Sequence, residues 1–455
     1  MKERRCMGWR GISSLSGLII LSACASYTPQ ALPTRVNLPA TTAAVAVHPA
    51  YVPFRQLSGH VYNPADGFDS DEVAMLAVAN NPQLRAARDA LGVARAQAFA
   101  AGLLPDPLLD LSFAHPTNNV PGTMDGFSNS LTYDVNALLL RSSRKKAAEA
   151  EVQRVNNELL WQEWQVVSQA RLLFVRLVAQ KSLLQSLRSV HELLLRRYQV
   201  SQQALAAGNV TADFASSELL ALQITGRQIN EMQRNRLQNR ASLNALLGLK
   251  ESTELDLVGD VAPPVIDIAG VQADIPQLLQ RRPDIRALQA GYQAQEENYR
   301  SAVLAQFPAL SVGLMQARDT TGIDSLGFGI NLRLPVFNRN RGNIAIAQTT
   351  RKQLFDAYQI RLNSAYSEIA VALENLSLLQ TQLQFTQHDI TILQPLAQRA
   401  TDAYRTGNLA VPDYVRIQRA WLDKQTEAIN LTEALAEQRI ALETLLGPDL
   451  PERSE

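Results

Sequence analysis

Only two cysteines, Cys6 and Cys24, occur in the 455 residues. That excludes a disulfide framework and a cysteine-based zinc ribbon. Histidine is scarce as well. His48, His60, His115, His191 and His388 lie far apart, without the H-x-x-x-H spacing of a helical metal site. Neither sign of charge dominates, since 43 Lys and Arg balance 43 Asp and Glu, and charged residues make up only 19%. That balance excludes an acidic disordered tail and a basic nucleic-acid binder. No apolar run of 18 or more residues follows the first two dozen positions. A transmembrane helix is therefore not expected, and a body that crosses a membrane would do so as a closed β-barrel. There is no Gly-rich phosphate loop after a strand, no G-x-S-x-G elbow and no metal cluster. The sequence thus gives an enzyme no support, and no cofactor is expected.

What is present begins with an address. Lys2, Arg4, Arg5 and Arg10 precede a short apolar stretch, Gly11 to Ala23, and then Cys24. A charged start, an apolar core and small residues before a cleavage point describe a secretory signal. Leu21-Ser22-Ala23-Cys24 resembles a bacterial lipobox, which implies cleavage before Cys24 and covalent lipid on that residue. Ala25 rather than Asp in the next position favours the outer membrane in that family. The alternative is an ordinary signal peptide with a coincidental cysteine. Cleavage also removes four cations and the carboxylate of Glu3, which leaves the remainder slightly acidic. Pro29, Pro33, Pro39, Pro49, Pro53 and Pro64 then mark an extended tether.

The rest repeats itself. Asn81-Pro82-Gln83-Leu84-Arg85-Ala86 matches Arg282-Pro283-Asp284-Ile285-Arg286-Ala287. Leu104-Pro105 matches Phe307-Pro308, Ala207-Gly208-Asn209-Val210 matches Thr406-Gly407-Asn408-Leu409, and Ala245-Leu246-Leu247-Gly248 matches Thr444-Leu445-Leu446-Gly447. The landmarks keep their order at a nearly constant offset, the signature of a duplication. The expected organisation is a signal at 1–23, a lipidated Cys and tether at 24–66, a first repeat at 67–250, a linker at 251–271, a second repeat at 272–448 and a tail at 449–455.

Each repeat reads as αββαα. Pro82 and Pro283 stand where a first helical turn accepts proline, and each helix stops before Pro105 or Pro308. Strand-like stretches follow at Leu108–His115, Phe127–Val135, Ala309–Arg318 and Leu326–Leu334. Their alternation, as in Leu326, Phe328, Ile330 and Leu332 against Gly327, Gly329, Asn331 and Arg333, fits a barrel wall that is apolar outside and polar inside. A soluble sheet with one buried face is the other reading. Arg141 to Ala206 then contains no Pro or Gly and keeps a three/four apolar spacing. Asn343 to Thr406 does the same, with a kink expected at Pro395. Such seams over about 65 residues would span roughly 100 Å. Gly208-Asn209 and Gly407-Asn408 read as helix stops and hairpin turns.

Four strands cannot close a barrel, and an open edge is not permitted in lipid. If the strands are membrane strands, the chain must oligomerise, and three chains would supply twelve strands around a channel. Lipobox, Pro-rich tether, duplicated αββαα and twin Gly-Asn turns resemble the TolC family of outer-membrane efflux ducts, and within it the lipidated OprM/CusC-like (NodT-type) branch. Ala403-Tyr404-Arg405-Thr406-Gly407-Asn408-Leu409 with Asp413, and Leu334-Pro335-Val336-Phe337, carry the resemblance most specifically. It implies a mainly α fold with a small β part: a long α-helical barrel in the periplasm below a transmembrane β-barrel completed by trimerisation.

The same resemblance implies a homotrimer in outer-membrane lipid. Its partners would be a periplasmic adaptor (membrane fusion protein) and an inner-membrane pump, often of the resistance-nodulation-division type. The adaptor would dock on the hairpin tips, here Ala207, Gly208, Asn209, Thr406, Gly407, Asn408 and Leu409. A periplasmic gate would involve Asp413, its repeat mate Asp213, and Arg416, where the family has a second carboxylate. A solvated helix start, with Asp413 complementing the helix dipole, is the simpler account of the same residues. Gly102 to Pro107 resembles the turn of heavy-metal members, but proline is expected at a helix-to-strand junction anyway. A lipoprotein scaffold of coiled coils without a pore is the competing function.

Overall fold

The computed structural model describes residues 27–41, 52–63, 65–117, 120–259, 261 and 268–448. The expected signal and Cys24 lie outside them, as does the C-terminal tail. Residues 27–38 belong to a separate unit and are exposed, without helix or strand. All else belongs to one larger unit. Its start is tied down rather than free: Lys250 donates its N–H to Pro39 O at 2.9 Å, and Thr253 Oγ1 to Ala40 O at 3.2 Å.

Seven long helices and four strands make up that unit: α1 (Ser70–Asn80), α2 (Pro82–Gly102), β1 (Leu108–Ala114), β2 (Gly126–Asp134), α3 (Val135–Ala206), α4 (Ala212–Leu246), α5 (Pro283–Leu304), β3 (Ala309–Arg318), β4 (Asp324–Arg333), α6 (Arg341–Arg405) and α7 (Val411–Leu446). Short helical turns lie at Arg55–Ser58, Ile268–Asp274, Ile275–Gln277 and Leu278–Arg281. The order helix, two strands, two long helices occurs twice among the described residues, as α2–β1–β2–α3–α4 and as α5–β3–β4–α6–α7. No helix among the described residues is long and apolar enough to cross a membrane.

α3 has 72 residues, about 110 Å at 1.5 Å per residue. It begins directly at the end of β2, six residues earlier than the expected Arg141. Asp134 makes this possible, because its carboxylate caps the helix by accepting the Ala137 N–H at 3.1 Å. α6 likewise starts two residues early and continues through Pro395 to Arg405. α3 is the hub: it packs against α1, α2, α4, α5 and α7.

The main core surrounds the middle of α3. Its centre is α1, where every residue from Glu72 to Val78 is buried. This helix is apolar on all sides, as a fully enclosed helix must be. Its entry is fixed by a reciprocal capping box: Asp69 accepts the Glu72 N–H at 2.8 Å, and Glu72 accepts the Asp69 N–H at 3.1 Å. Phe54 meets Trp164 edge-on at 5.2 Å between centroids, and the Trp164 indole donates to Thr444 O at 3.3 Å. Much of the stretch expected as a linker is also structured. Phe68 and Leu257 form a parallel bridge, and Ile268 and Val271 of the turn helix pack on a second core around Leu278 and Ile369.

The four strands form one antiparallel sheet in the order β1-β2-β3-β4. The two repeats meet in it through β2 and β3, with Leu131 opposite Leu314 and Thr132 opposite Gly313. β4 begins at Asp324, two residues before the expected Leu326, because Asp324 pairs with Arg318 across the turn, at 2.7 Å from Nε.

Candidate functional site

The sheet is a single layer. Registers place Leu109, Leu131, Leu314 and Phe328 in one row across one face. The neighbouring row, Asp110, Ser130, Met315 and Gly327, lies on the opposite face. One face is thus mainly apolar, interrupted by Asn129 and Gln316 and, at the rim, by Arg318 and Asp324, while the other is mainly small or polar apart from Leu108 and Met315. Among the described residues nothing covers the apolar side: Phe113, Leu326 and Phe328 are 82%, 83% and 66% exposed. A soluble sheet would bury that face against its own helices. Among the described residues β1 and β4 are also unpaired on their outer edges, which exposes a row of backbone donors and acceptors on each side.

Both long hairpins, α3–α4 and α6–α7, leave the sheet in the same sense. Their turns therefore fall at the ends of α3 and α6 remote from the strands. The two turns are built alike. Gly208 and Gly407 adopt left-handed backbone, with φ of 72° and 77°. Gly208 N–H bonds to Leu205 O at 3.0 Å and Asn209 N–H to Ala204 O at 2.8 Å. Gly407 N–H bonds to Tyr404 O at 3.1 Å and Asn408 N–H to Ala403 O at 2.8 Å. Each pair is a Schellman motif, which satisfies the last helical carbonyls and requires a residue tolerant of positive φ. Ala207 and Thr406 cap the helices, and a Cβ on either glycine would meet open space. Leu409 follows in the second turn.

Past each turn the two gate carboxylates sit on the first turn of the returning helix, and Arg416 lies one turn further on. Asp213 lies in the first turn of α4 and Asp413 in that of α7. Arg416 donates to Asp413 at 3.2 Å, with both side chains exposed. Such a pair is worth little in one chain. No hydrogen bond or ion pair joins the two tips among the described residues. What the sequence reading missed here is an aromatic clasp: Tyr404 of α6 stacks on Tyr414 of α7 at 4.6 Å and 10° between planes. One tyrosine on each side of the Gly-Asn turn was the available signal.

At the other end of each hairpin the returning helix is locked to the start of its repeat. Asn81 donates Nδ2 to Leu246 O at 3.0 Å, and Arg282 donates Nη1 to Leu445 O at 3.0 Å. Arg282 is fully buried and holds Asp284 through Nε and Nη2 at 3.0 and 2.7 Å. Its guanidinium lies 5.0 Å from the Trp161 ring centre. Arg361 adds a third bond to Asp284, at 2.7 Å. Burial pushes the Asp284 carboxyl up, but the hydrogen bonds and charges of Arg282 and Arg361 outweigh it and hold the pKa below the usual value.

A bare amphipathic sheet at the head of paired helical hairpins defines the class: this is the fold of outer-membrane channels. Residues 275–448 match the family model described as Outer membrane efflux protein. The chain is 27% identical over 325 residues to the cation efflux system protein CusC of Escherichia coli O6:H1, covering 67% of this chain and 68% of that one. It is 26% identical over 179 residues to the pyoverdine export outer membrane protein OpmQ of Pseudomonas aeruginosa, 38% of each. The crystal structure of the Campylobacter jejuni CmeC outer membrane channel shares the fold, with a TM-score of 0.69 at 19% identity over 86% of this chain and 88% of that one.

Proposed function

We propose that this chain is the outer-membrane channel component of a tripartite efflux system. It works as a homotrimer, passing small molecules passively from a periplasmic adaptor and an inner-membrane pump of the resistance-nodulation-division type to the exterior. The observation that carries this is the single-layered sheet. Its uncovered apolar face and two open edges demand lipid on one side and further copies of the chain at the edges. Polar, small residues on the other face line a water-filled path.

The duplication supports closure by copies of the same chain. α3 packs on α5 and α7 of the second repeat, whereas its repeat mate α6 makes no comparable contact with α2 or α4. α6 instead exposes Val371, Leu378, Phe385 and Ile392 at a spacing of seven, and α4 exposes Leu220, Ile224 and Leu237. A seven-residue apolar repeat is the seam of a coiled coil. Joining α6 to α4 of the next copy, and β4 to its β1, repeats between chains what α3 and β2 do within one.

In this reading Cys24 carries lipid in the outer membrane and the helices form a barrel in the periplasm. The adaptor docks on Ala207 to Asn209 and Thr406 to Leu409, and Asp213, Asp413 and Arg416 ring the closed tip. Opening is a population shift, with the adaptor binding the open tip better than the closed one. CusC is named for cation efflux and OpmQ for pyoverdine export, and in this reading the partner pump chooses the cargo while the duct wall biases which ions pass. Recording from the purified oligomer in a planar bilayer tests the proposal. Discrete conductance steps are expected, and a folded oligomer that never conducts would leave the scaffold as the better account.

A further inference from the structure

The strand registers also fix where charge stands on the polar face. Asp134 and Arg333 lie at its helix end, where Asp134 is opposite Ser311 and Arg333 opposite Ala309. These two are of opposite sign and about one same-face row, near 7 Å, apart along the strands. Asp134 is further occupied in capping α3. Asp110 is different. It stands two same-face rows above Asp134, about 13 Å nearer the outer rim, in a row completed by Ser130, Met315 and Gly327. The rows on either side of it are uncharged: Leu108, Thr132, Gly313 and Gly329 below, Ser112, Ser128, Ala317 and Ser325 above. Asp110 is exposed, and among the described residues no cation or hydrogen-bond donor pairs with it. It is thus the lone fixed charge in the middle of the polar face.

We infer that Asp110 sets the ionic preference of the β-barrel section, enriching cations and positively charged cargo over anions. The inference rests on the pore reading above. Closure by three copies brings one Asp110 carboxylate from each into a single ring, on walls whose neighbouring rows carry no opposite charge to neutralise it. Serine and glycine neighbours hydrate the ring without neutralising it. A unit charge about 10 Å from an ion in water changes its local concentration about twofold, and three act together. Salt screens the effect, with a Debye length of about 30 Å in 0.01 M salt and about 3 Å in 1 M salt.

The test is the reversal potential of the reconstituted full-length oligomer in a dilute potassium chloride gradient. Wild type should favour potassium. Asp110→Asn should lower the cation-to-anion permeability ratio about twofold or more, and Asp110→Glu should leave it unchanged. Ser130→Lys, which places a cation opposite an intact Asp110, should reproduce the loss and covers the case in which the Asn variant fails to assemble. The differences should vanish in concentrated salt. Normal conductance with an unaltered ratio in Asp110→Asn or Ser130→Lys would overturn the assignment. Absence of conductance from the folded wild type would instead overturn the pore reading, and the inference with it.

Discussion

Arg282 closes the second repeat on Leu445 with a 3.0 Å hydrogen bond, at the position where Asn81 closes the first repeat on Leu246. Both donors precede the proline that starts a helix, and both acceptors lie at the end of the returning helix. The bond is alike at both places while the donor residue differs. The change is not neutral, because Arg282 brings a buried charge that Asp284 must balance.

Removing that charge should therefore cost more than removing the amide. Arg282→Ala leaves Asp284 buried with one cation fewer and is expected to cost about 3–5 kcal/mol. Asn81→Ala leaves one unpaired carbonyl and loses the cap on Gln83 and Leu84, both held at 2.9–3.0 Å, for about 1–3 kcal/mol. Denaturant unfolding of the two variants should give that order.

Acid should attack the same lock. Asp284 has a depressed pKa in the folded chain, so its contribution is complete above the ordinary carboxylate value and is lost as pH falls below it. Melting temperature measured downward from neutral pH should drop less steeply below about pH 4 in Asp284→Asn than in wild type. Parallel curves would remove Asp284 from the account.

Glu433 on α7 should behave in the opposite sense. Burial, and then the charge of Glu437, push its pKa up to about 7, against a lowering by Arg176. A raised carboxyl favours the folded state while protonated, so its contribution is present at low pH and is lost as pH rises through about 7. Glu433→Gln should raise the melting temperature at pH 8 and leave it unchanged below about pH 4.

The turns offer a test of docking. Gly208 and Gly407 each hold positive φ, where a β-branched residue costs roughly 1–2 kcal/mol. Gly208→Val with Gly407→Val should abolish export by cells while leaving an assembled oligomer. Unchanged export by the double variant would count against the tips as the adaptor site.

The proposed gate rests on the exposed Arg416–Asp413 pair. If a ring of such pairs holds the tip shut, Arg416→Ala should raise the leak conductance of the closed oligomer in a bilayer. A closed state that leaks no more than wild type would return Asp413 to the role of a helix-start carboxylate.

The parts legible in the sequence were those with local causes. Pro82 and Pro283 mark their helices, alternation marks strands to within two residues, and Gly-Asn marks both turns. α1 was hidden because it is apolar all round and shows no helical period, although the Asp69 to Glu72 spacing was a usable capping signal. The β2–β3 pairing that joins the repeats, the burial of Arg282 and the unpartnered α6 seam depend on distant residues, so no local pattern announces them. The polar face was legible, but the isolation of Asp110 required the register of all four strands.

The central claim is that the sheet is a membrane wall with lipid on its apolar side and water on the other. Nitroxide labels placed singly at Leu109, Ser112, Phe113 and Ser128 of the reconstituted oligomer test it most directly. Labels at Leu109 and Phe113 should be accessible to oxygen dissolved in lipid, and those at Ser112 and Ser128 to a water-soluble nickel complex. Water-soluble access at every position, without alternation between faces, would contradict the account.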